Sequence, residues 1–194
     1  YKKAWMITAT TRGIVRRITG EKGIQPEKVF HLPNGADLMR LKPQEKDLGL
    51  LNRLGLAESS KIFIYTGLLG YAQGLETVLD AAALVKNPDI VFLLLGEGPE
   101  KEKLLRYLVE KSIRNVKILG ERPFSEMPRY YSLAEASIVP LIKADLFKDA
   151  VPSKMIISLA CGVPPIFSGE GEAEKIIEEN KCGWVVPPQN SEAL

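Results

Sequence analysis

The 194-residue chain has two cysteines, Cys161 and Cys182, and one histidine, His31. So small a set does not furnish a zinc site of Cys and His, and two cysteines on a chain this long make no disulfide framework. A reducing compartment is the expectation. No apolar run approaches the roughly 18 residues that a membrane-spanning helix needs. The longest, residues 90–95, has the length of a buried strand. Excess charge is missing too: Lys plus Arg number 26 and Asp plus Glu 24. That balance gives no bulk electrostatic reason to expect a nucleic-acid partner. Hydrophobic residues at 45% and charged residues at 26% exclude a disordered or collagen-like chain. At about 100–200 residues per domain, one full domain and a piece of another can be accommodated. The opening Tyr1-Lys2-Lys3-Ala4-Trp5 has no initiator Met and no signal-peptide pattern, and Ser191-Glu192-Ala193-Leu194 reads as the first turn of a helix. Both ends lead us to expect a fragment.

What is present is a regular alternation from residue 61 onward. Strands are predicted at 61–66, 90–96, 116–120, 136–141, 163–167 and 183–186, each short and rich in Val, Ile, Leu and Phe. Such runs belong to strands buried on both faces of a parallel sheet. Helices are predicted between them, after Gly74 and over 99–112, 125–133, 152–160 and 172–179. The class is α/β, a doubly wound, Rossmann-like parallel sheet with right-handed crossovers. Ligands of such sheets sit at the carboxyl ends of the strands. Upstream, 5–8 reads as a strand, 11–18 as a short helix and 29–32 as another strand, followed by the turn Pro33-Asn34-Gly35. Residues 36–60 are polar and read as a linker or hinge.

Four loops at the strand ends could carry chemistry. In the first, Gly67, Gly70, Gln73 and Gly74 lie between a strand and a helix, where glycines let a phosphate approach backbone N–H groups. Its spacing is not the dinucleotide fingerprint and it lacks the Walker lysine; a plain tight turn explains it equally well. Gly96-Glu97-Gly98-Pro99 is explained by turn and helix-start preferences alone. At Asp149-Ala150-Val151-Pro152-Ser153-Lys154, a helix start, a hydroxyl and a cation together suit a phosphate; a plain helix start with an exposed Lys is the alternative. Gly169, Glu170, Gly171 and Glu172 form an acidic loop whose carboxylates could take sugar or ribose hydroxyls; a mobile surface loop is the alternative. His31, Trp5 and Trp184 are expected to be structural, and Arg12, Arg16, Arg17 and Lys22 to be a solvated basic face. Cys161 and Cys182 are expected to fill small buried gaps.

The order of motifs then carries a resemblance. Pro33-Asn34-Gly35-Ala36-Asp37, the stretch 67–74, Gly96-Glu97-Gly98-Pro99, Glu121-Arg122-Pro123, Met127-Pro128-Arg129-Tyr130-Tyr131, Ala160-Cys161-Gly162-Val163-Pro164 and Gly183-Trp184-Val185-Val186-Pro187-Pro188 follow one another as in the C-terminal half of a group 1 (family 4) glycosyltransferase of the GT-B fold. Pro152-Ser153-Lys154 and 70–74 look most like its bacterial and archaeal surface-polysaccharide branch, which includes fucosamine-type transferases. The resemblance implies that residues 1–33 are the tail of an N-terminal acceptor domain plus the crossing strand. Residues 34–60 would then be the interdomain linker and the way into the next domain, and 61–194 a nucleotide-sugar-binding domain.

It also implies roles. Gly67, Gly70, Gln73, Gly74, Ser153 and Lys154 would bind the donor phosphates; Gly96, Glu97, Glu121 and Arg122 would lie near base and ribose; Asp149, Gly169, Glu170, Gly171 and Glu172 would lie near the donor sugar. Many members carry Arg and Lys where this chain has Leu68 and Gln73, and Lys154 is the best local replacement. Of the two Glu that members often carry with seven residues between them, Asp149 keeps a carboxylate and Ile157 does not. No catalytic residue, metal or cofactor is expected in the chain; the substrate would be a UDP- or GDP-sugar. Expected partners are the preceding domain and a glycan or lipid-linked acceptor, and the expected place is the cytoplasm, at most peripheral on the inner face of the membrane. Alone, the chain would bind a nucleotide weakly and transfer nothing. A non-catalytic glycosyltransferase-like partner and a GT-B sugar-nucleotide epimerase are the alternatives; a phosphorylase would need a pyridoxal lysine context that is not visible.

Overall fold

The computed structural model describes residues 1–194. Its main sheet has six parallel strands in the order β5-β4-β3-β6-β7-β8: β3 (Lys61–Thr66), β4 (Ile90–Leu95), β5 (Val116–Leu119), β6 (Ala134–Pro140), β7 (Pro165–Ser168) and β8 (Trp184–Val186). β3 and β4 pair in register along their whole length, from Lys61 opposite Ile90 to Thr66 opposite Leu95. Their side chains alternate between two layers. Ile62, Ile64, Val91, Leu93 and Leu95 pack with Met127, Tyr130 and Tyr131 on one face. Tyr65, Phe92 and Leu94 pack with Leu75, Val78, Leu79 and Leu104 on the other. Both faces are therefore covered, as the continuous apolar runs require. The intervening helices are α3 (Leu75–Leu84), α4 (Lys101–Glu110), α5 (Met127–Tyr131), α6 (Ser153–Ala160) and α7 (Glu172–Asn180). Strand order reverses at β3: β4 and β5 lie to one side, and β6, β7 and β8 to the other. The loops that follow β3 and β6 therefore leave in opposite directions and open a crevice between them.

Near the start of the chain lies a second, two-stranded sheet. β1 (Ile7–Ala9) and β2 (Val29–His31) pair in parallel across α1 (Arg12–Gly20), around a core of Ile7, Ala9, Ile18, Ile24 and Val29. The stretch 34–60, read as a polar linker, contains a helix that its composition hides. α2 (Leu48–Arg53) is capped by Asp47, whose carboxylate accepts from Leu50 N at 2.8 Å. Leu41, Leu50, Leu51 and Leu56 then enter the main core. At the other end, the Asn190 side chain accepts from Glu192 N and Ala193 N, both at 3.1 Å, so the last residues do turn as a capped helix start does. No helix is long and apolar enough to cross a membrane.

Candidate functional site

The loop after β3 is stitched to its neighbours by backbone bonds. Gly67 N donates to Leu95 O at 2.9 Å, Leu69 N to Glu97 O at 2.8 Å, and Glu100 N to Leu69 O at 3.0 Å. The Tyr65 hydroxyl donates to Leu68 O at 2.5 Å, which ties the loop to the strand that launches it. Gly74 closes the loop in the left-handed region at φ +55°, where a Cβ would also crowd Ile142. Gly96 and Gly98 lie so close to the carbonyl oxygens of Gly67 and Leu69 that neither position has room for a side chain. These glycines were attributed to turn preference; the structure adds a tight crossing of two loops.

Above the crossing is a cleft of about 720 Å³. It collects Gly67 and Gln73 from the first loop, Gly96 and Glu97 from the second, Glu121 and Arg122 from the loop after β5, and Ser153 and Lys154 from the start of α6. Those eight expected site residues are thus brought together at the carboxyl edge of the sheet, with Gly70 and Gly74 in the turn behind them. Thr66, Leu95, Phe124 and Met127 also line the cleft and are not among the expected site residues, because each reads as an ordinary core or turn residue. Leu68 and Ile157 line it too, with apolar side chains.

Lys154 is the most unusual group in the cleft. Its Nζ is shielded from solvent and has no hydrogen-bond partner. It lies over the Tyr65 ring, 3.8 Å from the centroid. Burial pushes the amine down to about 7 from its ordinary value of 10.5. Gln73 Oε1 is likewise buried and unpaired. Nearby, Thr66 Oγ1 and the Tyr131 hydroxyl are 2.8 Å apart in the core, and burial raises Tyr131 to about 12. Arg122 is fixed rather than free: its Nε donates to the Tyr130 hydroxyl at 2.8 Å and its Nη1 to Glu121 O at 2.9 Å. Glu97 accepts from Lys101 Nζ at 2.6 Å.

The five residues expected near a donor sugar stand apart from this cleft. The Asp149 carboxylate is held by Arg17 Nε, and its carbonyl accepts from Thr11 Oγ1 at 2.6 Å. Glu172 accepts from Gly13 N and pairs with Arg16 at 3.4 Å. Both carboxylates are thus turned toward α1. Arg16 stays exposed, as expected of a solvated face, whereas Arg17 turns inward and ties α1 to the loop bearing Asp145 and Asp149. Glu170 lies beside Gly169 with Lys143 at 3.5 Å and Lys148 at 3.9 Å. Gly171 packs against the Lys148 backbone. His31 lies at a shallow groove with Arg12 and Arg16. Trp5 and Trp184, expected as packing residues, are exposed by 88% and 58%; in this chain nothing covers them. Cys161 is buried, as expected, and Cys182 is half-buried. No group of three or more His, Cys, Asp or Glu side chains is placed to share a metal ion.

Comparisons with known proteins identify the family and the fold. The family model described as "Glycosyl transferases group 1" matches residues 50–194. The chain is 28% identical over 156 residues to WcaI of Escherichia coli K12, a glycosyl transferase named for colanic acid biosynthesis, covering 79% of this chain and 38% of WcaI. It is 27% identical over 176 residues to WbjE of Pseudomonas aeruginosa, named a glycosyltransferase, covering 90% and 44%. The chain thus spans less than half the length of these curated relatives. Among solved structures, HepE of Anabaena in complex with UDP and glucose superposes with a TM-score of 0.84 at 19% identity, over 98% of this chain and 51% of HepE. The fold is that of one half of a GT-B glycosyltransferase. The chain belongs to the group 1 glycosyltransferase family.

Proposed function

We propose that this chain is the donor-binding part of a retaining glycosyltransferase that moves a sugar from a UDP- or GDP-sugar to a glycan or lipid-linked acceptor in surface polysaccharide synthesis. The observation that carries the reading is Lys154. A buried cation site without a partner, at a helix start and beside a floor of glycine backbone, is built to meet an anion that arrives from outside. When the bond to the sugar breaks, negative charge grows on the leaving diphosphate. A lysine already in place stabilises that charge with little reorganisation. Glu97, Glu121 and Arg122, which line the same cleft, are the groups that would meet base and ribose. The relative named for colanic acid biosynthesis and the UDP complex of HepE support a polysaccharide product and a nucleotide-sugar donor.

In this reading residues 1–33 belong with an acceptor domain that precedes them, and their separate small core supports that assignment. Residues 34–60 link the two domains, with α2 already docked on the second, and 61–194 hold the donor. The seam between α1 and the loops bearing Asp149 and Glu172 is where the two halves meet, with the donor sugar beside it. An acceptor on a lipid would bring the enzyme to the inner face of the membrane from the cytoplasm.

Titration calorimetry of the 194-residue chain with UDP, GDP, UDP-glucose and GDP-mannose tests the reading. Weak binding of at least one of them, lost in Lys154→Met, is expected, with no sugar transfer. A folded chain that binds none of them would overturn it. That outcome would favour a non-catalytic partner protein, the reading to which the apolar Leu68 and Ile157 in the cleft lend support.

A further inference from the structure

Lys154 is poised between two protonation states. Every element packed around it leaves the amine without a counter-charge. β3 offers the Tyr65 ring. The loop after β3 contributes Gly67, where an added Cβ would meet Nζ at 3.3 Å, and Gln73. The loop after β4 contributes Glu97, already held by Lys101, and the loop after β5 contributes Glu121 and the anchored Arg122. From α5, Tyr131 turns its hydroxyl to Thr66, and α6 itself adds Ser153. None of these accepts a hydrogen bond from Nζ.

Two opposed effects then decide its charge. An ammonium over an aromatic face gains a modest attraction from the ring quadrupole. Taking an ion out of water costs more than that attraction returns. The ring therefore offsets only part of the cost of burial, and the depression of Lys154 to about 7 is what remains. A diphosphate in the cleft reverses the balance, because an anion at contact distance favours the ammonium.

We infer that donor binding is coupled to proton uptake at Lys154: the amine is substantially neutral in the free protein above neutral pH and becomes an ammonium as the diphosphate arrives. The proton comes from solvent and joins the nitrogen lone pair, and no bond of the donor breaks. The inference rests on the reading of the cleft as a diphosphate site. It gives binding a defined pH dependence. Below about pH 7 the lysine is charged in both states and affinity is flat. Above it, the free protein must gain a proton to bind, and affinity falls up to about tenfold per pH unit until the lysine of the complex also titrates.

Calorimetry with UDP-glucose and GDP-mannose tests the coupling, since their diphosphate diesters keep a constant charge across this range. Runs in buffers of different ionisation enthalpy count the protons. Uptake approaching one proton at about pH 8.5 and near zero at about pH 6 is expected, and Lys154→Arg, charged throughout, should bind with no uptake. Independently of any ligand, the 13C-labelled lysine resonance that Lys154→Arg removes should titrate near 7 in the free chain. A resonance titrating near 10, donor binding without uptake, or uptake that persists in Lys154→Arg would each overturn the inference while leaving the donor site standing. Failure of both sugars to bind at every pH would overturn the two together.

Discussion

Gly96 lies against the carbonyl oxygen of Gly67 so closely that a Cβ there would overlap it. The two residues end neighbouring strands, and Gly67 N in turn bonds Leu95 O. The floor of the cleft is thus two strands of backbone in contact, with no side chain between them. Gly96→Ala must either separate the loops or bend them, and the φ of +154° adds strain for an alanine. We expect a loss of about 1–3 kcal/mol in urea denaturation, as for overpacking elsewhere, together with loss of nucleotide binding by calorimetry. An alanine chain with unchanged stability and affinity would mean that the floor yields freely.

Leu51 tests the part of the domain that polarity conceals. It is fully buried in α2, within a stretch whose lysines, Asp47 and Pro43 read as linker. Leu51→Ala should cost about 2–5 kcal/mol in the same denaturation experiment. The exposed neighbour Asn52→Ala should change stability by less than about 0.5 kcal/mol. A mild effect of Leu51→Ala would return the helix to linker status.

The contrast between these regions shows what could be read beforehand. Strands 61–66 and 90–95 are covered on both sides, and that burial writes itself into the chain as unbroken Ile, Val, Leu and Phe. Edges were less legible, because tertiary hydrogen bonds set them. Val163 was expected to open β7, yet its N–H is taken by Ser158 O at the end of α6, so the strand begins at Pro165. The glycine loops and Lys154 were visible as motifs. Tyr65 beneath Lys154 was not, since nothing local to either residue signals the other. The same is true of Arg17 and Asp149, which are 132 positions apart.

That long-range pair holds α1 to the main domain. Arg17 Nη2 also donates to Asp145 O at 2.9 Å, and a Cβ on Gly13 would collide with the Asp149 carboxylate. Arg17→Ala should therefore loosen α1 while leaving the sheet intact. Hydrogen exchange followed by mass spectrometry should show several-fold faster exchange in 12–20 and unchanged protection in β3 and β4. Gly13→Ala should loosen α1 further, because it drives the carboxylate away as well as losing room. Equal protection of α1 in wild type and both variants would show that the seam depends on other contacts.

Lys154 also makes stability depend on pH, with a sign that can be worked out in advance. The folded chain holds the amine at about 7, whereas an unfolded lysine titrates near about 10.4. Between those values the unfolded state binds more protons than the folded one, so stability rises with pH there, by at most about 1.4 kcal/mol per unit. Below about 7 both states are protonated and the buried ammonium is a fixed burden. Lys154→Met removes the group and keeps most of its apolar stem. The difference in unfolding free energy, variant minus wild type, should therefore be largest at about pH 6 and shrink steadily toward pH 9. Other titrating groups cancel in that difference. Urea denaturation of both chains across this range is the measurement, and a difference that stays level with pH would show that Lys154 keeps its proton when buried.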